Sequence, residues 1–272
     1  MGIQMAGVEM LASHGLLGAD RAVLDLGSSN LYGATAGEIV EFVKRHNPKP
    51  SLGLDRLAER LAIGSGPDAT GQAANTAFVG ELFEAAGMTY DSIDIAVGYR
   101  TTIVDLNTMR LPAHMVGVYD SVLNFGTSEH ILNQMNVFGA LHAAVKVGGL
   151  IMHQVPSTGY VDHGYFCYTS RFFFDLAGWN HYEVVDMWYD VGGTENVFAS
   201  ARQYQTYFPA LTKRLEKIGV DPRETAIDKI EIPTTAINII YRKTKETPFM
   251  GTVETSTSVG HLPTDVMQSY QS

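Results

Sequence analysis

The 272-residue chain has a single cysteine, Cys167, and only two tryptophans. One thiol excludes an internal disulfide framework, and it makes a reducing cytoplasm the expected location. No apolar run approaches the ~20 residues that a bilayer-crossing helix needs. Met1–Ala6 has neither the basic flank nor the apolar centre of a signal peptide, and Ala6 stands where a myristoylation signal wants Ser or Thr. Cations are also scarce. Against 29 Asp and Glu there are 19 Lys and Arg, a formal net charge of −10. That balance repels phosphate backbones at long range, so a small molecule is a better expected partner than nucleic acid. Also missing are the Gly-x-Gly-x-x-Gly of a dinucleotide site and the Gly-Lys-Ser/Thr of a P-loop.

What is present is an alternation of strand-like and helix-like segments. Ala22–Leu26 is a short apolar run that reads as a strand buried on both faces, and Gly27-Ser28-Ser29-Asn30 turns the chain towards a helix near Ala36. Helical periodicity predicts helices over residues 8–17, 36–46, 52–63, 75–86 and 131–147. Strands are expected at 92–97, 101–106, 120–125 and 150–155. Beyond Pro156 the chain is crowded with aromatics. A helix is expected at 172–177, a strand at 182–189, a helix at 204–218 that could serve a homodimer, and a last strand at 235–242. Strands alternating with helices imply a parallel sheet covered on both faces. The expected organisation is one domain over residues 1–250, with helical insertions near 51–87 and 190–234, followed by a polar tail over 251–272.

In order and content these pieces resemble class I S-adenosylmethionine-dependent methyltransferases. Val23-Leu-Asp-Leu-Gly27 resembles the family's first motif, Tyr90-Asp-Ser-Ile-Asp94 its second strand, and Thr102-Ile-Val-Asp-Leu-Asn107 its third. Tyr119–Asn124 and Gly148–Met152 resemble its fourth and fifth. The resemblance covers about residues 20–155, with Ala236–Arg242 as the seventh strand. It implies a doubly wound, mostly parallel seven-stranded sheet in the order 3-2-1-4-5-7-6. It also implies S-adenosylmethionine as cofactor, with Asp94 on the ribose hydroxyls and Asp105 on the adenine. Asp25, Gly27, Ser28, Ser29, Asn30 and Asn124 would complete the cofactor site. Ser29 stands where the family usually has a second glycine.

Oxygen is the expected target atom, on a small-molecule or sugar acceptor, because methyl transfer to a hydroxyl needs a nearby proton acceptor. Glu129 and His130 follow the fourth strand and His163 the fifth, so these three are the catalytic candidates, with Glu129 or another carboxylate orienting His130 as general base. Each has a plainer role available. Glu129 can charge the first turn of a helix, Asp162-His163-Gly164 can be a turn, and His153 reads as a core histidine. Glu129, His130, His153, Asp162 and His163 are of ligand type, but no ligand spacing supports a metal, and none is expected. Tyr160, Tyr165 and Tyr168 are candidates for an acceptor pocket, and Cys167 for a small buried hydrophobe. The competing functions are a nicotinamide-dependent oxidoreductase and a cofactor-binding protein without turnover.

Overall fold

The structure is a computed structural model and describes residues 2–160, 163–191, 199–200 and 234–251. Its elements begin with β1 (Gly2–Gln4), α1 (Met5–Ser13), β2 (Ala22–Leu26), β3 (Asn30–Tyr32), α2 (Ala36–His46), α3 (Leu54–Ser65) and α4 (Val79–Ala85). The middle of the chain forms β4 (Thr89–Asp94), β5 (Thr101–Ile103), β6 (Tyr119–Phe125), α5 (Gln134–Ala144) and β7 (Val145–Thr158). There follow α6 (Ser170–Trp179), β8 (Tyr182–Val191), β9 (Ala199–Ser200) and β10 (Thr235–Lys243).

The main sheet runs β5-β4-β2-β6-β7-β10-β8-β9. Its first seven strands hold the expected order 3-2-1-4-5-7-6, and the two-residue β9 adds an eighth at the edge. The strands from β5 to β7 are mutually parallel, and β10 lies antiparallel between β7 and β8.

Alternation along each strand explains the two covered faces. Val23, Tyr90, Leu123, Met152 and Ile240 point into one core with α1 to α4. Their neighbours Leu24, Ile93, Val122, Ile151 and Ile239 point into the other, with α5 and α6. Successive side chains leave a strand on opposite faces, so a continuous apolar run is what a doubly covered sheet requires.

Several boundaries differ from the periodicity. Asn133 caps α5 by accepting from the Asn136 backbone N–H, so this helix begins after residue 131 and ends before the Val145–Val147 stretch, which joins β7. The helix expected over 75–86 starts only at Val79. Residues before it are drawn out beside the Gly27 turn, with Leu31 N–H donating to Ala77 O (2.9 Å) and Val79 N–H to Ser29 O (3.0 Å). A small parallel pair, β1 with β3, was not legible from periodicity. It ties the N-terminal segment to the same turn.

Among the described residues no helix is long and apolar enough to cross a membrane. The helix expected at 204–218, most of the 190–234 insertion, Asp162 and the tail beyond 251 lie outside the described residues.

Candidate functional site

One register row marks the carboxyl edge of the parallel strands. Ile93, Leu26, Asn124 and His153 are successive partners across β4, β2, β6 and β7. One step beyond lie Asp94, Gly27, Phe125 and Gln154. In open α/β sheets, ligands bind in the crevice outside this edge.

Gly27 opens the turn at φ +107°, and a Cβ there would sit 2.3 Å from Thr127 Oγ1. Thr127 holds its hydroxyl on the Leu26 carbonyl at 2.8 Å, so only glycine lets the loop after β6 pass this close. The next three residues turn their side chains inward. Ser28 is left-handed (φ +43°), and its Oγ accepts the Tyr99 N–H at 3.0 Å. Ser29 donates to Asp25 through both its backbone N–H (2.7 Å) and its hydroxyl (3.1 Å). Asn30 donates to the Asn75 and Ala77 carbonyls.

Asp25 has no exposed surface and also accepts the Tyr90 hydroxyl at 2.8 Å. Burial raises its pKa, while the bonds from Ser29 and Tyr90 oppose that shift. Asn124 is committed in the same way. Its amide donates to Ser128 Oγ (2.9 Å) and His153 Nδ1 (3.0 Å), and its oxygen accepts Ser128 N–H. The side chains of Asp25, Ser28, Ser29, Asn30 and Asn124 are thus all engaged in hydrogen bonds within the protein. These side chains shape the loops, and what the turn offers a ligand is its backbone.

The two remaining carboxylates differ. Asp94 ends β4 with Oδ1 accepting the Ala96 N–H (3.0 Å), and Oδ2 takes no bond among the described residues. Beside it the apolar Ile95 and Val97 are 72% and 91% exposed. Asp105 lies two residues past the end of β5 and closes its own turn, accepting from Asn107 N–H and Thr108 Oγ1. The Asn107 bond is the largest influence lowering its pKa. Its position supports the plain role of a turn cap.

A second group sits over β6 and β7. Glu129 has no exposed surface, and neither carboxylate oxygen has a hydrogen-bond partner among the described residues. Burial pushes its carboxyl up to about 7. His163 Nε2 lies 3.6 Å from Glu129 Oε1 and His130 Nε2 lies 3.9 Å from it, both beyond hydrogen-bond distance. The Glu129–His130 hydrogen bond expected to orient a base is thus not made. Burial, then the neighbouring His163, lowers the pKa of His130.

The sequence did not signal how the two loops meet. Tyr165 N–H and Phe166 N–H both donate to the Glu129 carbonyl, and a Cβ at Gly164 would come within 2.9 Å of that same oxygen. His153 is a core histidine, 2% exposed, with burial driving its pKa down to about 3. Because Nδ1 accepts from Asn124, the ring proton sits on Nε2. Cys167 is exposed rather than buried. Tyr168, proposed for a pocket, is buried with its hydroxyl on Ser128 and Gln134.

A cleft of about 720 Å³ opens beside this edge, between the β1–α1 segment and the sheet, with Tyr32, Phe125, Gln154, Asp186, Trp188 and Asn238 in its wall. Its size is that of a small-molecule site. Tyr160 belongs with the second group: its ring packs 5.4 Å from His163, and its pKa is raised by burial, then by the charges of Asp190 and of Glu129.

This is a Rossmann-like α/β fold. No family model matches the sequence, and no curated protein does. Solved structures similar to the chain include a SAM-dependent methyltransferase from Archaeoglobus fulgidus, with TM-score 0.42 and 12% identity, covering 87% of this chain and 92% of the other. Another is a 1,6-didemethyltoxoflavin-N1-methyltransferase from Burkholderia thailandensis bound to its substrate and S-adenosylhomocysteine. It has TM-score 0.41 and 11% identity, and covers 88% and 76%. A third, the cyclase SpnF, has TM-score 0.42 and 11% identity and covers 88% and 80%.

Proposed function

We propose that the chain is an S-adenosylmethionine-dependent methyltransferase acting on a small-molecule or sugar acceptor, with oxygen as the target atom. The observation that carries this reading is Asp94, a carboxylate at the end of β4 with Oδ2 uncommitted. It stands one strand away from a glycine turn whose own side chains are all occupied. A sulfonium cofactor bound there supplies an electrophilic methyl group.

The residues present fit that cofactor. Asp94 accepts hydrogen bonds from vicinal ribose hydroxyls, the exposed Ile95 and Val97 offer apolar cover for a purine, and the Gly27 turn brings backbone within reach without a Cβ in the way. The cleft beside Phe125 and Gln154 holds and orients the acceptor. Orientation of this kind can supply up to ~7–11 kcal/mol of the barrier reduction. The acceptor proton leaves at the Glu129–His130–His163 group, where both imidazoles stand partly exposed beside Tyr160. The cytoplasm suits a chain with one exposed thiol.

Asp94→Ala tests the reading. Hydrogen bonds to a charged group contribute ~1.5–3 kcal/mol each. The variant should therefore bind S-adenosylhomocysteine at least ~10-fold more weakly, while Asp105→Ala, removing a turn cap, loses less. An Asp94→Ala protein with wild-type affinity in a calorimetric titration would remove Asp94 from the site.

A further inference from the structure

We propose that Glu129, His130 and His163 form the binding site of one divalent transition-metal ion, with Zn²⁺ the best-suited, in the loops that follow β6 and β7. The three ligand atoms, a carboxylate oxygen and two imidazole nitrogens, all lie within 4.8 Å of one another. Ligands ~2.1 Å from a shared ion at tetrahedral or octahedral angles stand ~3.0–3.4 Å apart. The observed 3.6 and 3.9 Å to Glu129 Oε1 are too long for hydrogen bonds and close to that spacing. Both histidine side chains are about 40% exposed, so small rotations close the difference.

The independent observation is Glu129 itself. A fully buried side chain with both oxygens without a hydrogen bond is costly in either protonation state: the carboxylate has only imidazoles beyond hydrogen-bond distance, and the carboxylic acid lacks an acceptor for its O–H. A cation at this point satisfies the oxygens. Gly164 contributes by letting the His163 loop approach within a distance that a Cβ would block.

Two imidazoles and one carboxylate favour Zn²⁺ and its first-row neighbours over Mg²⁺, which prefers oxygen ligands and retained water. With three protein ligands, positions remain open. An acceptor hydroxyl bound to such an ion gives up its proton to water more readily, because the oxyanion left behind is held by the metal. Only this last role rests on the methyltransferase reading, whereas the site itself does not.

The test uses tag-free, full-length protein stripped with EDTA and titrated calorimetrically with Zn²⁺, and separately with Mg²⁺. The expected result is one equivalent of Zn²⁺ per chain, with Mg²⁺ far weaker. Glu129→Gln and His163→Ala should each weaken Zn²⁺ binding by more than the ~10-fold typical of losing an outer-shell partner. Gly164→Ala keeps all three ligands yet forces the loops apart, so it should also weaken binding, and it carries the test if Glu129→Gln fails to fold by circular dichroism. Absence of a stoichiometric site, or a Zn²⁺ affinity unchanged by all three substitutions, overturns the proposal. S-adenosylhomocysteine is titrated into the same samples. Its binding without a Zn²⁺ site overturns the metal alone, and Zn²⁺ binding without it overturns the methyltransferase reading alone.

Discussion

Asp25 and Glu129 are both carboxylates with no exposed surface, and they meet burial in opposite ways. Asp25 accepts three hydrogen bonds from Ser29 and Tyr90, whereas Glu129 has none among the described residues. The first is the pattern of a structural anchor, the second of a group waiting for a ligand. His153 is a third buried ionisable side chain, and its pKa falls from 6.5 to about 3 because burial disfavours the cation. A depressed folded pKa means that the unfolded chain binds the proton first. The stabilising effect of the neutral ring is therefore complete above pH 6.5 and is lost as pH falls towards 3. Between pH 7.5 and 5.5 this one group should remove about 1.4 kcal/mol. Urea unfolding at the two pH values should show that loss in the wild type and a smaller one in His153→Gln, which keeps an acceptor for Asn124 without titrating. Equal pH sensitivity in the two proteins would contradict the assignment.

At the scale of elements, the turn from β2 to β3 depends on a residue from another strand. The Tyr90 hydroxyl reaches Asp25 from β4, and Asp25 in turn holds Ser29. Tyr90→Phe should lower the unfolding free energy by about 1.5–3 kcal/mol, the worth of a hydrogen bond to a charged group. It should also weaken cofactor binding, since the turn loses an anchor. Unchanged denaturation midpoints would show that Ser29 alone suffices.

The same example shows what the sequence made legible. Strands with continuous apolar runs were readable because both faces of the sheet are covered, and the helices over 36–46 and 52–63 because each shows one apolar stripe. The short pair β1–β3 carries too few residues to show a period. The late start of α4 is set by pairing with the Gly27 turn, a contact distant in sequence. Site residues followed the same division. Gly27, Asp94, Glu129 and His130 were legible as candidates because they end or follow strands, and a position at a strand end is a local fact. The inward commitment of Asp25, Ser28 and Asn124 depends on Tyr90, Tyr99 and His153, which no spacing rule places beside them. The approach of His163 to Glu129 likewise depends on a glycine whose role appears only when two loops meet.

For the molecule as a whole, strand order and site chemistry point to the same edge of the sheet. The parallel strands end in a turn without competing side chains, an uncommitted Asp94 and a cleft of about 720 Å³. The formal charge of −10 disfavours long-range attraction of polyanions, in keeping with the small acceptor proposed. A nicotinamide enzyme would need a glycine-rich turn open to a pyrophosphate. Here Gly27 is followed by Ser28 and Ser29, and the Gly-x-Gly-x-x-Gly pattern is absent. The decisive measurement is a calorimetric titration of the full-length protein with S-adenosylhomocysteine and, in parallel, with NAD. The account predicts saturable binding of one S-adenosylhomocysteine per chain and no binding of NAD. Binding of NAD with none of S-adenosylhomocysteine would contradict it.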